Sequence, residues 1–80
     1  MPHAKRDSQK RDLAQAIAAL QKGAGHLSDM YSLYKPVHPE LAEALGVAVV
    51  GTGEIVELLL RFWEKAWGKR PTDLDSWLGR

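Results

Sequence analysis

The chain contains no cysteine, which excludes disulfide stapling, thiolate catalysis and cysteine metal sites. It also lacks a long apolar run. The longest uncharged stretch, residues 44–53, is half of the ~20 residues that a bilayer-spanning helix needs, and Glu54 and Glu57 end it. The opening Met1-Pro2-His3-Ala4-Lys5-Arg6-Asp7 leads into polar residues rather than an apolar segment, so no signal peptide and no membrane span are expected, and the expected compartment is the cytoplasm. The net charge of +1 provides no bulk attraction to an anionic partner. Nowhere does the sequence alternate apolar and polar residues as a half-buried strand would.

Patterns that carry chemistry are equally scarce. His3, His26 and His38 form no His-x3-His or Glu-x-x-His spacing that would set two ligands on one helical face. Ser8, Ser28, Ser32 and Ser76 lie in no Gly-x-Ser-x-Gly turn. Gly51-Thr52-Gly53 lacks the lysine and spacing of a phosphate loop. Glu54 and Glu57 could suggest paired carboxylates, but against the seam described below Glu57 points away and Glu54 lies on the flank, so both are expected to be solvated. No catalytic, cofactor-binding or metal-binding residue is expected, and the protein reads as non-enzymatic.

What the sequence does have is helical periodicity over nearly its whole length. Leu13, Ile17, Leu20, Ala24, Leu27, Tyr31 and Tyr34 recur at spacings of four and three, which predicts a helix over about 7–34, capped by Asp7 or Ser8. Pro36 disfavours helix at Lys35, whereas Pro39 and Glu40 suit the first turn of a second helix over about 39–67, stopped by Gly68. The seam of that helix is Leu41, Leu45, Ala48, Thr52, Ile55, Leu59, Phe62 and Ala66. Thr72 can cap a short third helix at about 73–78, holding Leu74, Trp77 and Leu78. The fold class is therefore all-α: one domain over 1–80, a long antiparallel helical hairpin with its turn at 35–38, plus a short C-terminal helix. Gly23, Gly25, Gly46, Gly51 and Gly53 each cost about 1 kcal/mol inside a helix. The alternative is thus a compact monomeric bundle of four or five short helices broken at these glycines. Continuity is preferred because the seams keep phase across them, and the hairpin would set Gly23–Gly25 against residues 49–51 at a close-packed waist.

A second stripe on helix 2, comprising Val49, Gly53, Val56, Leu60, Trp63 and Trp67, is displaced by one residue from the first. With Val47, Val50 and Leu58 it makes the helix apolar nearly all round, so more than one side must be covered. Folding of ~80 residues buries only a little over ~60% of the unfolded surface, so assembly would add needed stability. The expectation is a homodimer, a four-helix arrangement in which Val49, Val56, Leu60, Trp63 and Trp67 supply the interface, or else a protein partner on the same face. A second possibility is an accessory nucleic-acid binder. Lys5, Arg6, Lys10, Arg11, Lys65, Lys69 and Arg70 gather with Arg61 at the open end of the hairpin as possible phosphate contacts, although Asp7, Asp12, Glu64, Asp73 and Asp75 dilute them.

Residues Lys35-Pro36-Val37-His38-Pro39-Glu40-Leu41, set between two helices, resemble the Pro-x-x-Pro turn of the helical-hairpin needle subunits of type III secretion systems. That resemblance implies a secretion-system-like hairpin subunit, and it covers the turn alone. The three tryptophans and the helix break after Gly68 depart from the pattern. Trp77-Leu78-Gly79 is similar to the Trp-x-Gly of small type VII secretion substrates, whose motif lies between the helices and not at the end of the chain.

Overall fold

Two long helices and one short turn of 3-10 helix make up the computed structural model, which describes residues 2–71 and 73–78 and side chains from Asp7 onward. Helix α1 spans Pro2–Tyr34, α2 spans Pro39–Trp67, and η1 spans Leu74–Trp77. No strand occurs among the described residues. Helix α1 and helix α2 pack antiparallel along their length, and η1 returns onto α1.

Helix α1 begins earlier than expected. Pro2 occupies its first position, where a missing amide donor is harmless, so Asp7 and Ser8 lie inside the helix and cap nothing. Tyr34 ends it: its carbonyl accepts from the amides of Val37 at 3.0 Å and His38 at 2.6 Å, and the Tyr34 and His38 rings sit 6.2 Å apart. Pro39 then starts α2, with Glu40 at its positive end. Gly68 stops α2 at a φ of +100°, a conformation that favours glycine, and its amide donates back to the Glu64 carbonyl at 2.9 Å. Thr72, the expected cap of the third helix, lies outside the described residues. Asp73 performs that role, its carboxylate accepting from the Asp75 amide at 3.0 Å.

Both helices run unbroken through their glycines. The close-packed glycine waist, however, does not form. A Cβ at Gly23, Gly25, Gly51 or Gly53 would meet nothing within 4 Å, and only Gly46 lies against the partner helix, where a Cβ would stand 3.2 Å from the Tyr31 ring.

The buried apolar residues are Ala14, Ile17, Ala42, Val56 and Trp63. This is a thin core for so long a chain. The molecule measures 55 × 25 × 17 Å, and a helix with its side chains is ~10–12 Å across. Each long helix therefore has the other as its one long neighbour, with η1 added on α1, and the far side of each faces solvent.

Candidate interaction surface

The arc of α2 that faces inward is the second apolar stripe, extended to Ala42. Ala42, Val49, Val56 and Trp63 recur every seven residues and point at α1, with Leu45, Leu60 and Trp67 flanking them. Trp63 is 2% exposed. Its ring meets Trp67 edge-on at 5.2 Å and Trp77 at 5.7 Å, so η1 closes the open end of the hairpin over it. The Lys10 ammonium sits 5.2 Å from the Trp77 ring centre and 5.9 Å from that of Trp67, a cation–π contact that ties the start of α1 into the same cluster.

The expected division of α2 is therefore reversed in large part, with only Leu45, Thr52 and Leu59 of the expected inner seam half-buried. Of the residues assigned to an interface, Val56 and Trp63 are buried by their own chain, and Val49, Leu60 and Trp67 are half-buried. Conversely, Leu41, Ile55 and Phe62 from the expected inner seam stand open, Phe62 at 55% exposure. The reversal has a physical cause: tryptophan buries more apolar area than any other side chain, so the arc that places Trp63 and Trp67 against α1 and Trp77 wins over the arc carrying Phe62.

The open side of α2 carries Leu41, Ala44, Ala48, Gly51, Ile55, Leu58 and Phe62, again in four-three rhythm, widened by Val47 and Val50. Leu58 is 59% and Leu41 56% exposed. No charged residue falls in the line from Leu41 to Phe62, although Glu43 and Glu54 lie on the flank that Val47 and Val50 widen. Thr52, on the flank, donates its hydroxyl to the Ala48 carbonyl at 2.7 Å and so leaves no polar demand there. At the turn end the ridge runs into a groove of about 300 Å³ lined by Met30, Tyr34, Leu41, Ala44 and Leu45, almost wholly apolar. Two smaller pockets, of about 280 and 230 Å³, lie beside Glu54, Glu57, Leu58 and Arg61, and beside Gln15, Ala18, Ala19, Lys22 and Leu78.

A few charged groups tie the fold together. Glu57 stays at the surface, its side chain 43% exposed, and is paired there: Arg70 engages both of its carboxylate oxygens, at 2.7 and 3.4 Å. The Arg70 guanidinium also donates to Glu64 at 2.8 Å, and Arg61 approaches Glu57 at 3.6 Å. The hydrogen bond from Arg70 holds the Glu57 carboxyl below its ordinary range, against the opposing effect of partial burial, and the same contacts raise Arg70. This clamp ties the segment after Gly68 back to α2. Glu54 is exposed.

Among the expected phosphate contacts, Arg70 is thus occupied by carboxylates and Lys10 by indole rings, while Arg11, Lys65 and Lys69 remain exposed. The side chains of Lys5 and Arg6 lie outside the described residues. No group of three or more His, Asp or Glu side chains that could hold a metal ion occurs among the described residues, and none of their helices is long and apolar enough to cross a membrane. No family model matches the sequence, and no curated protein or solved structure is significantly similar to it.

Proposed function

We propose that the protein is a small non-enzymatic interaction module that self-associates through the open side of α2. One observation carries this reading: Leu41, Ile55, Leu58 and Phe62 form an uninterrupted, solvent-facing apolar ridge on a helix whose opposite side is already occupied by α1 and η1. Scattered apolar side chains on a surface are ordinary, whereas a contiguous strip with a groove at its end is the form that interaction sites take.

The size of the strip sets the expected affinity. From residue 41 to 62 it is about 30 Å long at 1.5 Å per residue, and about one helix wide. Alone that falls short of the ~800 Å² per partner of a standard interface. The flanking Met30 and Tyr34 enlarge it, and dissociation in the micromolar range, about −8 kcal/mol, is the expectation.

Sedimentation equilibrium over a concentration series tests the proposal. The native chain should pass from one to two chain masses, and Ile55→Lys should remain at one while keeping its helical circular dichroism. A single species of one chain's mass throughout would remove self-association as the function.

A further inference from the structure

The open ridge of α2 is graded in side-chain size, and the grading selects a partner and a direction. Its N-terminal half is small, with Ala44, Ala48 and Gly51; its C-terminal half is large, with Ile55, Leu58 and Phe62. We infer that two copies of the chain pair antiparallel through this ridge, each large residue of one copy seated over a small residue of the other and Phe62 entering the turn-end groove. The inference rests on the self-association proposed above and adds its geometry.

An antiparallel pair centred at position 53 sets Phe62 over Ala44, Leu58 over Ala48 and Ile55 over Gly51, all from a single register. Those are the facing layers that a four-three seam produces when two helices run in opposite directions. At Gly51 a Cβ would meet nothing within 4 Å, so within its own chain this glycine is an open notch. Ala44 lines the groove shared with Met30, Tyr34, Leu41 and Leu45. That groove is the hole an aromatic knob above Ala44 would need. Parallel pairing instead stacks small on small at one end, leaving a void, and large on large at the other.

Charge along the rim favours the same direction. Glu40 and Glu43 lie near the start of α2, Arg61 and Lys65 near its end. Opposed helices bring Arg61 and Lys65 of one copy alongside Glu40 and Glu43 of the other, twice by symmetry, whereas parallel helices put these one-sided charges on opposite edges of the seam and forgo the pairing. One rim residue is set unfavourably: Glu54, next to the axis, approaches its own counterpart. Glu54→Gln should therefore tighten the dimer, and more so at low salt.

Because the chain lacks cysteine, single introduced thiols report direction without background. Leu41 and Lys65 are exposed and occupy facing positions in the same register. Leu41→Cys and Lys65→Cys variants, mixed and oxidised, should give the mixed disulfide dimer, and neither variant alone should cross-link to itself. Self-linked dimers without the mixed one would overturn the antiparallel arrangement while leaving self-association standing. Absence of any dimer by sedimentation removes both. Size exchange is the second test: Ala48→Leu and Leu58→Ala should each raise the dimer Kd about tenfold or more. The double variant should recover most of the loss, since a large residue again faces a small one. Failure of that rescue, with the helical signal intact, would refute the register.

Discussion

Phe62 and Trp63 are sequence neighbours with opposite roles, and replacing each by alanine separates the two possible faces of α2. Trp63 is 2% exposed and contacts Trp67 and Trp77 through its ring. Truncating a buried tryptophan removes its transfer free energy and leaves a cavity, about 3–5 kcal/mol together, and each lost edge-to-face pair is worth about 0.5–1.5 kcal/mol within that range. Total stability for 80 residues is of order 4–12 kcal/mol at 0.05–0.15 kcal/mol per residue, so Trp63→Ala forfeits a large share of it. Phe62 is 55% exposed and has one ring contact, with Trp67 at 5.6 Å. Its loss should cost about 1 kcal/mol in the isolated chain. At 4–8 °C per kcal/mol for a domain of this size, Trp63→Ala should lower Tm by more than about 12 °C and Phe62→Ala by less than about 8 °C. The assay is thermal melting followed by far-UV circular dichroism, at concentrations below the association range so that only intrachain packing is read. Equal destabilisation by the two variants, or a larger effect from Phe62→Ala, would refute the assignment of the inward face.

Three further outcomes are expected from specific contacts. Glu57 is held below its ordinary pKa of 4.5 by Arg70, so its contribution to stability is present above that value and is lost as pH falls through the lower folded value. Glu57→Gln should thus lower Tm near neutrality and flatten its decline below about pH 4.5, so that the two chains converge in acid; an unchanged acid limb would show that the clamp does not form. Gly23→Ala and Gly25→Ala, with open space at the Cβ, should each stabilise the chain by about 0.5–1 kcal/mol in urea unfolding. Gly46→Ala should gain less because its Cβ meets the Tyr31 ring at 3.2 Å, and Gly68→Ala should destabilise because its φ is +100°.

The backbone was largely legible from residue types alone. Pro36 and Pro39 define the turn and Gly68 the end of α2, since each acts through its own backbone chemistry and needs no tertiary context. The α1 seam was largely legible: Ile17 is buried, and Leu13, Leu20, Ala24, Leu27 and Tyr31 are half-buried around it, because they are most of the large apolar side chains of that helix; Tyr34 is exposed, and Ala14, outside the seam, is buried. Helix α2 offered no such contrast. Where a helix is apolar around most of its circumference, periodicity finds several equally good stripes, and only the third segment chooses among them. The segment's own sequence held the deciding signal. Arg70 lies one residue before Pro71 and can reach back to Glu57 and Glu64 only if the chain reverses after Gly68. That reversal brings Trp77 to the arc bearing Trp63, and so fixes that arc as the inner one. The remaining apolar residues, Leu41, Ile55, Leu58 and Phe62, are then outward by elimination. An Arg70→Met variant should accordingly loosen η1, expose Trp63 and Trp77 to iodide quenching, and leave the helical signal of α1 and α2 nearly unchanged; unaltered quenching would mean that the tryptophan cluster holds η1 without the clamp.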